Sequence, residues 1–173
     1  MDIIPTPEEC IDLLKKSGCS NLVINHCKAV RDVAVRIAEK ANADLRLVEA
    51  SALLHDIGRS KTHGIKHAIE GAKIAKELDL SKDIINIIER HIGAGLAADE
   101  AKKLGLPSKD YIPITLEEKI VCHADSLIDN AKKRNIEHEV ERALLEGYYE
   151  YARRLVALHK ELSDICRIDV NKI

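Results

Sequence analysis

Apolar residues recur along most of the chain three and four positions apart, with polar residues between them, the spacing of amphipathic helices. Start and stop signals divide the pattern into segments. "TPEECIDLLKKSG" opens with Thr6 as N-cap, Pro7 at the first helical position and Glu9 closing a capping box, and Gly18 stops it. A second helix is predicted from about Leu22 to Ala41, with Val23, His26, Val30, Val33 and Ile37 on one face. A third, "ADLRLVEASALLHDIG", starts near Asp44 and ends at His55 and Asp56, before the breaker Gly58. After a turn rich in Gly and Lys comes "KHAIEGAKIAKELD", and Ser81 caps "KDIINIIERHIG". A short helix around "AADEAKKLG" precedes the loop "LPSKDYIPI". Thr115 and Glu118 form another capping box opening "LEEKIVCHADSLIDNAKK", and a last long helix is expected from about Glu137 to Leu162. No segment alternates strictly enough for a strand, and no repeat is visible. The expectation is an all-α helical bundle in which short connections make consecutive helices neighbours.

Composition narrows this picture. At 173 residues the chain fits a single domain over 1–173, its core at about 20–135, with the N-terminal helix and the long C-terminal helix packed on it. There is no Phe or Trp, so Ile, Leu, Val and Ala must build the core. The net charge of −2 is spread with both signs interleaved, and the basic runs "AKKRN" and "YARRL" read as solvated helix faces. That speaks against a nucleic-acid partner. The five cysteines are scattered without a CxxC pair, which argues against a disulfide framework or a thiolate zinc site and for a reducing, cytoplasmic setting. No signal peptide is expected in "MDIIPTPEEC", and no membrane span elsewhere.

Polar groups then appear where the pattern calls for apolar ones. His26 falls on the apolar stripe of the second helix. His67 precedes Gly71, Ile74, Ala75 and Leu78 at face-sharing intervals, and His91 follows Ile87 and Ile88. Asp125 lies between Val121 and Ile128, and the third helix delivers His55 and Asp56 at its end. Five helices thus each aim an imidazole or carboxylate inward. One buried histidine is ordinary, but aspartate is almost never fully buried unless paired. No buried Arg or Lys is evident for both aspartates, and a metal ion is the simplest common partner. Nitrogen and oxygen donors without thiolate suit Mn, Fe, Co, Ni or Zn, with Mg also admissible. Cys27 and Cys122 read as small core residues rather than ligands.

His26, then His55-Asp56, then Asp125 resembles the H…HD…D signature of the HD-domain superfamily of metal-dependent phosphohydrolases, and "LLHDIGR" resembles its HDIG subgroup. The likeness covers about Leu22 to Ala131 and implies an HD-domain-like helical bundle. It implies that His26, His55, Asp56 and Asp125 bind one divalent metal. His67 and His91 match the extra histidines of subgroups with two ions, where Asp56 would bridge both. Such a pair clamps a phosphate and supplies a hydroxide that attacks phosphorus. The implied activity is hydrolysis of a phosphate ester or anhydride of a nucleotide or other small phosphorylated metabolite. Arg59 stands where the family often has Lys and can grip phosphate bidentately. There is no GYP motif and no His-His pair, because Ile92 follows His91, which speaks against cyclic-dinucleotide hydrolysis.

The polar turn "GRSKTHGIKH" supplies Arg59, Lys66 and His63 as candidates for phosphate binding, with His63 as a general acid. His123 lies off the ligand face and reads as structural or as a support to a ligand. His138 should be exposed, and His159 should sit in the core or an interface. Tyr148, Tyr149 and Tyr151 suggest core packing or the seam of a homo-oligomer more than a base-stacking platform. Two other readings use the same residues: a di-iron oxygenase of the HD type, and a metal-stabilised binding or regulatory module without turnover.

Overall fold

A computed structural model describes residues 3–173. The described residues are all-α apart from one minimal hairpin and two isolated bridges. Thr6 and Glu9 make the reciprocal cap of α1 (Pro7–Ser17), which ends at Gly18 in the left-handed conformation. Ser20 caps α2 (Asn21–Ala41), and Asp44 caps α3 (Leu45–Leu54). A 3-10 turn over Ile57–Ser60 leads to α4 (His67–Glu77). Ser81 caps α5 (Lys82–Glu89), followed by α6 (Ala98–Lys103) and α7 (Leu116–Ser126). Strands β1 (Ile128–Asp129) and β2 (Lys132–Lys133) pair antiparallel, before α8 (Ile136–Leu145) and α9 (Tyr149–Cys166).

The long helix α2 is the spine and packs against α3, α7 and α9. Helix α1 lies on α3, α4 on α5, and α8 on α9. The largest fully buried side chains are almost all aliphatic, among them Ile37, Leu53, Ile84, Ile88, Ile120 and Leu155, as a chain without Phe or Trp requires. The buried aromatic, Tyr111, sits in a small separate cluster with Ala101 and Leu106.

Four expectations are corrected. The helix predicted through "LEEKIVCHADSLIDNAKK" stops at Ser126, because Asn130 turns the chain at φ +60° and Ile128 and Asp129 pair with Lys133 and Lys132. Asn tolerates the left-handed region, which makes it a hairpin residue. The last helix is two helices, broken at Gly147 with φ +82°. The capping box at Thr115 is half formed. Thr115 accepts from the Glu118 amide, but the Glu118 carboxylate accepts from Ile114 and Arg90 instead. Tyr148 and Tyr149 are exposed, which corrects core packing for them and leaves the oligomer seam, the other half of that expectation, standing.

Candidate metal centre

Helix ends, more than helix faces, build the centre. His55 is the C-cap of α3, and Asp56 begins the 3-10 turn. His67 is the first residue of α4. His91, predicted inside the fifth helix, lies two residues past the end of α5. His26 comes from the body of α2 and Asp125 from the last turn of α7. His55, Asp56, His67 and His91 are buried, while His26 and Asp125 are partly open to solvent.

Each of the four imidazoles is anchored through Nδ1 to a backbone carbonyl. His55 bonds Ala52 at 2.7 Å, His67 bonds Gly64 at 2.8 Å and His91 bonds Ile88 at 2.6 Å. All three use the carbonyl three residues back, and in α3 and α5 that carbonyl belongs to the last turn, which has no helical partner. His26 Nδ1 bonds the carbonyl of Asn130, the hairpin residue, at 2.8 Å. A carbonyl only accepts, so each Nδ1 carries the proton, and a neutral ring then leaves Nε2 as a lone pair.

The four Nε2 atoms meet the two carboxylates. His26 and His55 lie 2.9 and 3.5 Å from Asp125 Oδ1, and 3.7 and 3.6 Å from Asp56 Oδ2. His67 and His91 lie 3.1 and 3.4 Å from the other Asp56 oxygen, and 3.0 Å from each other. Asp56 therefore stands between a His26–His55–Asp125 group and a His67–His91 pair. His26, His55 and Asp125, and separately His55, Asp56 and His91, each place three donor atoms within 4.8 Å of one another. His55 Nε2 and Asp56 Oδ1 have no hydrogen-bond partner although buried. An orphaned buried polar atom costs about 1–3 kcal/mol. A cation bound by both removes that penalty, so the donor set fits divalent metal.

Electrostatics show how strongly the groups act on one another. Burial alone would raise both carboxyls, but the facing imidazoles, His55 first, outweigh it and hold Asp56 and Asp125 well below the usual carboxylate range. The two carboxylates in turn outweigh burial at His55 and push it well above the usual imidazole range, whereas burial pushes His91 down. A divalent ion would take the place of the proton on His55 and leave its Nε2 as a ligand.

One aspartate has a cation beside it, although a half-buried one. Arg59 Nε donates to Asp56 Oδ2 at 2.7 Å, and its Nη1 donates to the His63 carbonyl at 3.1 Å. His63 and Lys66 are exposed on the loop before α4. Cys122 hydrogen-bonds the Gly93 carbonyl at 2.9 Å and belongs to no ligand group, and Cys27 is buried in the core. His123 pairs with His159 at 2.9 Å, and His159 with Asp169 at 3.0 Å, a relay that braces α7 against α9. His138 is exposed. The anchoring carbonyls escaped sequence reasoning, since a carbonyl carries no residue identity. The spacing of each histidine from a helix end was the available signal.

A helical bundle that gathers four imidazoles and two carboxylates defines the class as a histidine–aspartate centre. Residues 23–130 match the HD domain family, and the chain belongs to it. It is 46% identical over 171 residues to a tRNA (cytidine(56)-2'-O)-methyltransferase of Thermoplasma volcanium, with 99% of this chain and 51% of that protein covered. The chain thus spans about half the length of that relative. An uncharacterized protein of Methanocaldococcus jannaschii is 42% identical over 92% of this chain and 98% of its own length. In structure the chain resembles the HD domain of the L. monocytogenes phosphodiesterase PgpH, at TM-score 0.57 and 19% identity, with 86% of this chain and 94% of that one covered. Among the described residues no helix is long and apolar enough to cross a membrane.

Proposed function

We propose that the chain is a metal-dependent phosphohydrolase acting on a phosphate ester or anhydride of a nucleotide or other small phosphorylated metabolite. One observation carries this reading: four Nε2 atoms, each aimed by an Nδ1–carbonyl bond, converge on two ionised carboxylates. In this reading His26, His55, Asp56 and Asp125 hold one ion, and Asp56, His67 and His91 hold a second. A divalent ion so held supplies Lewis acidity toward a phosphoryl oxygen and lowers the pKa of a bound water. Asp56 offers one oxygen to each group, so it sets the spacing between them. Arg59 spends Nε on Asp56 and Nη1 on His63, which leaves its Nη2 edge to bind substrate phosphate. Lys66 adds positive charge on the same loop, and His63 is the candidate donor of a proton to the leaving group. Methyl transfer, named for the Thermoplasma relative, is not assigned: this chain spans half of that protein, whereas the Methanocaldococcus relative is matched over nearly its whole length.

The test is metal analysis of the purified protein, followed by chelation, reloading with Mn, Co, Ni or Mg, and a screen of nucleotides and phosphate esters. Metal-dependent phosphate release is expected, and Asp56→Ala should lose both bound metal and hydrolysis. Full hydrolysis in Asp56→Ala, or a mixed-valent iron spectrum with no hydrolysis under any metal, overturns the reading.

A further inference from the structure

A polar cleft of about 460 Å³ opens beside Asp125, within the range of small-molecule sites. The β1–β2 hairpin and α8 form one wall, and Tyr151 of α9 closes another. Its charged groups are not equally engaged. Glu139 is committed, since it accepts from Arg142 Nε at 3.0 Å and from the Tyr151 hydroxyl at 2.7 Å. Arg142 also reaches Glu146 at 3.3 Å. Arg134 Nε and His138 Nε2, by contrast, both stand 3.8 Å from the same Asp129 oxygen, beyond hydrogen-bond length. Two donors therefore share one distant carboxylate in a cleft that ends at the metal centre. Polar separations of this length are where a bridging group fits. The ring in the cleft is Tyr151, whose hydroxyl is taken and against which Gly93 packs so closely that a Cβ there would lie 3.3 Å from the ring. Gly93 thus lies against one edge of the ring, and the donors of the cleft, Arg134, Arg142 and His138, stand among the carboxylates of Asp125, Asp129 and Glu139.

We propose that Arg134 and His138 bind a second, non-reacting phosphate of the substrate. The substrate class is then a small compound carrying two phosphates, one at the metal centre and one at this wall. The hydrolase reading supplies the reacting phosphate, and the anion wall is testable without it. Arg134 is about half exposed and ties to Leu127 through its backbone amide, so its replacement leaves the fold intact.

The first measurement is calorimetric titration of the chelator-treated full chain with inorganic phosphate. Binding at least tenfold weaker in Arg134→Ala, partly restored in Arg134→Lys, is expected; equal affinity in wild type and Arg134→Ala overturns the proposal. The second compares turnover of p-nitrophenyl phosphate and a nucleoside 3',5'-bisphosphate by the metal-loaded protein. Arg134→Ala should raise KM for the bisphosphate at least tenfold and leave p-nitrophenyl phosphate within twofold; equal losses on both overturn it. Arg134-dependent phosphate binding without any turnover would uphold the wall while removing the hydrolase reading.

Discussion

At the scale of single residues, proton position decides what the centre can do. His67 and His91 face each other at 3.0 Å through atoms that carry lone pairs when both rings are neutral. If these rings hold a second ion, His67→Ala and His91→Ala should each lower metal stoichiometry relative to wild type, measured by elemental analysis after desalting. Unchanged stoichiometry in both variants would remove the two-ion arrangement and leave the His26–His55–Asp125 group with Asp56. The cysteines give a separate expectation. Burial, with nearby carboxylates, pushes the Cys10 thiol from 9.0 up to about 12, and burial pushes Cys19 up to about 11. All five thiols are free and buried, so the native protein should resist alkylation at pH 8 and react fully in urea. The linkage sign follows. Above pH 9 the unfolded thiol ionises while the folded one stays protonated, so the folded state binds more protons and stability falls as pH rises from about 9 toward 12. The urea midpoint should drop less over that window in Cys10→Ala than in wild type.

At the scale of elements, helix ends carry most of the candidate ligands, and some ends were far easier to see than others. Thr6 with Glu9, Ser20, Asp44 and Ser81 mark helix starts through side chains that bond backbone amides, so the chemistry is written in the residue. Asn130 and Gly147 end elements through a single positive φ, while helical spacing runs on past them, so periodicity merged what the backbone separates. The candidate ligands were legible because an imidazole or carboxylate stands out on an apolar stripe. Arg59, three residues from Asp56, was singled out for phosphate, but its pairing with Asp56 depends on the turn between them. That turn explains Gly58, which sequence alone read as a breaker. Its reason is close approach: a Cβ there would collide with the His67 carbonyl oxygen and stand 2.5 Å from the Gly71 amide nitrogen. Neither obstacle is a flexible side chain. Gly58→Ala should cost about 3 kcal/mol or more by urea unfolding, at the upper end of overpacking effects. It should also shift His67 and lower metal content, whereas Gly105→Ala, where no atom lies within 4 Å, should leave metal content unchanged.

At the scale of the whole molecule, two of the concave surfaces among the described residues invite comparison as the working site, and their chemistry separates them. The larger, about 660 Å³ between α8 and α9, is lined by Val140, Leu144, Leu145 and Val156 and includes none of the six candidate ligands. The polar cleft is smaller but contains Asp125. Size alone would favour the apolar surface, whereas the proposed phosphate substrate needs charge and donors rather than apolar area. The candidate ligands span residues 26 to 125 and come from α2, α3, α4, α7 and the segment after α5, so an ion held there would tie distant parts of the chain together. An ion that binds only the folded state at a hundred times its dissociation constant adds about 2.7 kcal/mol. For a chain of this length each kcal/mol moves the midpoint by roughly 2–4 °C. Reloading the stripped protein with its metal should therefore raise Tm by roughly 5–10 °C, and chelator should reverse the rise. Weak binding of ions to surface carboxylates would give a small shift that survives substitution at the centre. Asp56→Asn keeps the size of the side chain but removes the shared negative charge, so the metal-dependent rise should vanish in that variant; a full rise there would place the ion elsewhere on the molecule.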